Sequence, residues 1–367
     1  MRIWVWGCGR GGLWVRIFNV LKLFLFFMLL GMPALAEVME DAPPFGLEAE
    51  ALAGAWGHSC EVILKKPAAG LVKTGEAALG RWSDWQRVCQ ETTGKDAVGV
   101  VRTLNKRLRV VWMDKPAKFT AYYKPILTGS RVRESKNQVP LLAMPARLKG
   151  CEKAKGAGCP TRAQIGREMA AGRGDYEVLM WLDDPMGAFL LHIQGSGTVK
   201  VREGKTERFV NVGFAGKNGH PYTAIGKVLR EQGELSGDID MPKIVGWVRA
   251  HEADEPEKIR ALFEANESYI FFVETAGEAP GAMGVTLTAG RSVAVDRTVV
   301  PLGLPVLVET ELSKDGSRFK RVMMAQDVGS AIVGEARGDL FLGHGEAAGE
   351  YAGVQNAGGR MGFLVIK

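Results

Sequence analysis

The chain has 367 residues, room for two domains at about 150 residues each, and its 46% hydrophobic and 24% charged residues are a globular composition. Its formal charge is +6, yet Arg2, Arg10, Arg16 and Lys22 precede residue 37 with no acid among them, leaving +2 for the remainder. That near balance argues against nucleic acid as the main partner, which usually needs a concentrated basic face.

Residues 1–36 read as a signal peptide. Basic residues come first, then an apolar run from Leu21 to Leu30 broken only by Lys22, then Ala34-Leu35-Ala36 before Glu37. The run is shorter than the ~20 residues of a membrane span, and an uncleaved anchor is the competing reading. Cys8 lies ahead of the run and no cysteine follows at the cleavage point, so no lipid-anchor site is expected. Four cysteines remain: Cys60, Cys89, Cys151 and Cys159. An even count in an exported chain permits disulfides in three connectivities. Cys60–Cys89 would staple two helices and Cys151–Cys159 would close a small loop, each weighed against buried thiols. No closely paired ligands accompany them, so zinc is not expected.

After a Pro-containing lead-in at 37–47, apolar periodicity predicts helices over 47–65, 74–92 (with Ala77, Leu79, Trp82, Trp85 and Val88) and 95–107. Strand-like runs follow at 108–113 and 117–123. From about 125 to 237 the texture changes to short strands between Gly, Lys and Pro turns, at 177–182, 189–193, 198–202 and 208–214. Helical patterns occupy 222–232, 241–251 and 256–265, the second opened by Asp240 with Pro242 in its first turn. A strand at 269–273 follows. The last hundred residues carry strands at 284–288, 292–295, 304–309, 319–325 and 361–366, with one or two helical turns at 346–351. Short strands bounded by turns favour barrels over a doubly wound parallel sheet.

Three clusters carry candidate chemistry. In Phe119-Thr120-Ala121-Tyr122-Tyr123-Lys124-Pro125, alternation presents Tyr123 and a neighbour to opposite faces, and aromatic faces stack on sugar rings. A half-buried strand explains the same pattern. In His192-Ile193-Gln194-Gly195-Ser196-Gly197, the glycines let a ligand approach the backbone and Gln194 offers an amide, although an ordinary hairpin turn does as well. Ser196 lacks the Gly-x-Ser-x-Gly spacing of a hydrolase nucleophile. The third cluster is Asp296, Asp327 and Asp339, each at or beside a strand. Asp339 is read as held in a Gly-rich turn. Strand ends of a small barrel can gather such carboxyls over one mouth, where they raise one another's pKa and suit a general acid. His344 is a second titrating candidate, with a polar turn residue as its ordinary reading. The likeness of Arg337-Gly338-Asp339 to an adhesion tripeptide is chance.

The ordered series Tyr122–Pro125, Gln194–Gly197, Phe214–Tyr222, Ile225-Gly226, Asn266–Phe272, Gly284–Ser292, Asp296-Arg297, Pro301–Gly303, Ala325–Gly329 and Gly338-Asp339 resembles the membrane-bound lytic murein transglycosylase A (MltA) family from about residue 110 onward. The last third resembles the 3D domain, named for three aspartates. Two positions depart from the family pattern: Ala121 stands for the usual Gly and Lys124 for the usual Thr.

The resemblance implies a mainly β fold with flanking helices. A double-psi β-barrel would form from 37–124, a helical connection at 238–283 and the 3D region 284–367, with a smaller barrel inserted at 125–237 and a groove between them. It implies a murein transglycosylase, a lyase that cleaves the β-1,4 bond between N-acetylmuramic acid and N-acetylglucosamine in peptidoglycan and leaves a 1,6-anhydromuramoyl end. Asp339 would be the single acid/base, Asp327 would orient or support it, and Asp296 would hold the site together. Thr120, Tyr123, Gln194, Ser196 and Gly197 would contact glycan. The expected partners are glycan strands, alone or within a wall-remodelling complex, for a monomeric, cofactor-free enzyme of the periplasm, with outer-membrane association open. The competing functions are a water-adding muramidase and a non-catalytic peptidoglycan-binding protein.

Overall fold

The computed structural model describes residues 48–73 and 79–367; the expected signal peptide, the lead-in through residue 47 and Ala77 lie outside them. Three helices come first: α1 (Glu48–Ile63), α2 (Trp82–Thr92) and α3 (Ala97–Arg107). The start of α2 falls at Trp82, later than the expected 74. Gly80 is left-handed at φ +72°, and Arg81 bridges Leu71, so the chain is turning there. Asp96 caps α3 by accepting from the Gly99 N–H at 2.8 Å. The three helices bury Trp56, Trp85, Val88 and Leu104 against Leu307, Val322 and Met324 on the strands below them. A Cys60–Cys89 disulfide joins α1 to α2, and a Cys151–Cys159 disulfide closes the small loop; both pairings weighed from the sequence are present.

The remaining strands are β1 (Leu108–Trp112), β2 (Ala117–Lys124), β3 (Ile126–Ser130), β4 (Val139–Leu142), β5 (Val178–Leu182), β6 (Gly197–Glu203), β7 (Thr206–Lys217), β8 (Ile270–Thr275), β9 (Ser292–Val295), β10 (Pro305–Glu311), β11 (Arg318–Asp327), β12 (Arg337–His344) and β13 (Asn356–Ile366). Between them lie α4 (Arg162–Ala170), α5 (Pro185–Gln194), α6 (Ile225–Glu231), α7 (Met241–His251), α8 (Pro256–Glu264) and α9 (Gly345–Ala352).

One sheet runs β13-β10-β11-β9-β12-β2, and β2 pairs back onto β13, so six strands close into a barrel with β1 added outside β13. Pairs β2–β12 and β9–β11 are parallel; the other four are antiparallel. Alternate residues such as Phe119, Val293, Val306, Met323, Leu340 and Met361 fill the interior. The second sheet runs β4-β5-β3-β6-β7-β8, and a bridge between Ala143 and Phe272 nearly closes it. Its sixth strand comes from 270–275, so this sheet extends past residue 237. The chain passes from one sheet to the other at Pro125, between β2 and β3.

Three local expectations are corrected. Residues 189–193 are not a strand; they lie within α5. Asp184 accepts from the Met186 N–H at 3.0 Å, Pro185 opens the helix, and Gly195 ends it at φ +76°. Because α5 is buried on most sides, its apolar run shows no helical stripe, and a short run of that kind reads equally as strand. Residues 284–288 form no strand, because Gly284 (φ +83°) closes a turn onto the Gly281 carbonyl. Asp339 sits inside β12, not in a turn.

Candidate active site

Register alone assembles the site. On β2 and β12, Thr120 stands opposite Asp339; on β12 and β9, Asp339 stands opposite Ala294; on β9 and β11, Ala294 stands opposite Asp327. Paired residues share a face, so Thr120, Asp339, Ala294 and Asp327 form one row across four strands. At ~4.8 Å per strand the two carboxyls are about two spacings apart, with one methyl group between them. The intervening Gly338 faces the interior, where an added Cβ would meet Phe119 and Met361 at 3.0 Å.

Asp339 is half-buried. Burial pushes its carboxyl up to about 6, Asp327 adds to the rise, and Thr120 and Arg337 work against it. The Thr120 hydroxyl donates to Asp339 Oδ1. Asp327 is also raised by burial, but it accepts from three donors: Tyr122 Oη at 2.8 Å on Oδ2, and the Ala282 and Val328 N–H groups at 2.8 and 2.9 Å on Oδ1. Lys124 favours its charged form as well. Three donors against one favour the ionised form at Asp327 more than at Asp339. Burial and the Asp327 charge hold the Tyr122 phenol well above its ordinary value, so it remains a donor.

Asp296 does something different. Its carboxylate accepts from the Thr298 N–H (2.9 Å) and hydroxyl (2.6 Å) and from the Gly334 N–H (2.8 Å), which lower its pKa. It ties the turn after β9 to the loop between β11 and β12, and so anchors the segment that joins Asp327 to Asp339. None of its hydrogen bonds reaches either carboxyl.

The other expected site residues lie where the two sheets meet. The Tyr123 N–H donates to Gln194 Oε1 at 3.1 Å, and the Tyr123 ring lies against Gly349 of α9. Ser196 follows the end of α5 and is half-buried. Gly197 is buried, and a Cβ there would come within 2.7 Å of Leu191 and 2.9 Å of the Pro125 carbonyl, so glycine is needed for packing. His344 approaches Glu278 at 3.3 Å across from Lys124, whose ammonium donates to the Ala279 carbonyl at 2.8 Å.

Tyr122, Arg337 and Lys124 were not singled out as site residues. Tyr122 lies two residues from Thr120 and thus on the same face of β2. That period-two signal becomes readable only once β12 is known to lie alongside. Arg337, two residues before Asp339, shares its face for the same reason.

Two family models match the chain. Residues 118–273 match the MltA specific insert domain, and residues 291–365 match the 3D domain. The membrane-bound lytic murein transglycosylase A of Escherichia coli (strain K12) is 35% identical over 253 residues, 67% of this chain and 65% of that protein. Among solved structures, the lytic transglycosylase LtgG of Burkholderia pseudomallei is 33% identical with a TM-score of 0.58, covering 87% of this chain and 91% of that one. The chain belongs to the MltA family. A structure of E. coli MltA with bound chitohexaose superposes on it with a TM-score of 0.64 at 27% identity, covering 89% of this chain and 93% of that one. The alignment spans just under two thirds of the curated MltA sequence. Among the described residues, no helix is long and apolar enough to cross a membrane.

Proposed function

We propose that the chain is a lytic murein transglycosylase of the exported cell-wall compartment. It would cleave the β-1,4 bond after N-acetylmuramic acid and close a 1,6-anhydro ring on that sugar. The observation that carries this reading is a half-buried Asp339 raised to a pKa of about 6, two strands from Asp327, which accepts from three donors. Asp339 protonates the glycosidic oxygen as the bond to C1 breaks. The resulting carboxylate then takes the proton of the sugar's own 6-hydroxyl as that oxygen bonds to C1. The nucleophile is already part of the substrate, so no second carboxylate is needed to activate water. Asp327 supports the positive charge that develops at C1. The glycan would run along the junction of the two sheets, past Thr120, Tyr123, Gln194 and Ser196. The chitohexaose bound to E. coli MltA supports a β-1,4 glycan as the ligand class, and the names of the relatives support peptidoglycan.

Digestion of purified sacculi followed by mass spectrometry tests this. Anhydromuramoyl ends are expected. Reducing ends, heavier by one water, would instead identify a muramidase, and no release of fragments would leave a glycan-binding protein. Asp339→Asn is expected to lower kcat by ~100-fold or more, the usual scale for a general acid. Near-parent turnover would remove Asp339 from the role.

A further inference from the structure

The Arg337-Gly338-Asp339 triplet has a physical reason in the barrel. Gly338 faces the packed interior, while Arg337 and Asp339 share the outer face of β12, opposite Lys118 and Thr120 of β2. The Arg337 guanidinium donates to the Gly338 carbonyl at 2.5 Å and the Lys118 carbonyl at 3.4 Å, which spans both strands. Its Nη2 donates to Thr120 Oγ1 at 2.7 Å. Guanidinium has donors and no acceptor, so the Thr120 oxygen can only accept from it. The single hydroxyl proton of Thr120 is thereby turned toward Asp339 Oδ1, the contact observed.

The geometry points to Arg337 as a positioning residue that acts through Thr120 to hold the transferable proton of Asp339 on Oδ2. Oδ1 is occupied as an acceptor, so the neutral carboxyl carries its hydrogen on the other oxygen. In the proposed reaction that proton passes from Oδ2 to the leaving oxygen. The freed oxygen then receives the 6-hydroxyl proton, so one atom gives and takes while the other stays fixed. The inference rests on the transglycosylase reading for its chemistry, but the hydrogen-bond order exists without it. The charged and titratable groups around Asp339 are Arg337 on β12, Tyr122 on β2 and Asp327 on β11, with Lys124 acting on Asp327.

A double-mutant cycle on kcat tests the relay. Arg337→Met and Thr120→Val are each expected to lower kcat by ~10- to ~100-fold with a smaller change in KM, the scale of a misplaced catalytic group. The double variant should be no slower than the slower single one. Multiplying effects would overturn the relay. Thr120→Ser keeps the hydroxyl and Arg337→Lys keeps a charged donor, so both should recover most of the rate; a Thr120→Ser enzyme as slow as Thr120→Val also overturns it. Carboxyl-carbon NMR of Asp339 separates this inference from the reaction itself. Its titration should move upward in Arg337→Met and Thr120→Val whatever bond the enzyme cleaves, and an unmoved titration rejects the arrangement. An active Asp339→Asn enzyme would reject the reaction alone.

Discussion

At the scale of single residues, the burial of Asp339 costs stability near neutral pH. Folding raises its pKa to about 6, above the ~4 of an unfolded chain, so the folded state binds the proton more tightly. Stability from this group is full below the unfolded value and is lost as pH rises through about 6. Asn keeps an acceptor for the Thr120 hydroxyl and never ionises. Asp339→Asn is therefore expected to be more stable than the parent near neutral pH by about 1–2 kcal/mol, a range reduced because one side of the group meets solvent. The gap should close below ~pH 4; thermal melts at the two pH values check it, and equal melting temperatures near neutrality would contradict the raised pKa. Activity should carry the same signature, falling as pH rises through about 6 because the acid form is lost. Asp339 and Asp327 were legible in the sequence because a family pattern spans them. Tyr122 and Arg337 were not, because nothing within either strand says which neighbour will lie beside it.

At the scale of elements, the α5–β6 turn shows how a helix end is brought to the candidate site. Asp184 and Pro185 start α5, left-handed Gly195 stops it, and Gln194 on its last turn meets the Tyr123 backbone. Sequence reading placed Gln194, Ser196 and Gly197 at one spot, yet took the apolar residues before them for a strand. Burial on most sides of α5 erased the periodicity that separates the two. Gly197 offers a test of contact against packing. An added methyl would strike Leu191 and the Pro125 carbonyl, so Gly197→Ala is expected to cost about 1–3 kcal/mol in urea unfolding, as overpacking does. An unchanged unfolding midpoint with lost turnover would instead make Gly197 a glycan contact. The flanking positions behave differently: an added Cβ at Gly195 has nothing within 4 Å, so its requirement is the left-handed backbone and not space.

At the scale of the whole molecule, the helical layer and the barrel are joined beside the chemistry. Fully buried Gln326, next to Asp327, donates from Nε2 to the Ala55 carbonyl (2.8 Å) and Ser59 Oγ (3.0 Å) and accepts from Ser292 Oγ at 2.6 Å. Gln326→Met would fill the volume and strand these polar groups, for an expected loss of about 2–3 kcal/mol in stability. A smaller loss of turnover should accompany it as β11 loosens; unchanged stability in denaturant would show that the clamp carries no weight. Short strands and turns made barrels legible from the sequence, whereas closure was not, since β2 meets β12 and β13 across more than two hundred residues.

That closure has a consequence for synthesis. Thr120 is made early, and its partner Asp339 leaves the ribosome 219 residues later. Until β12 slides in beside β2 and β13 completes the ring, Asp339 has neither its hydroxyl partner nor its buried surroundings, and its carboxyl is an ordinary ionised aspartate. A chain wired in this way completes the Thr120–Asp339 pair only when the ring closes, after both of its distant strands have been made.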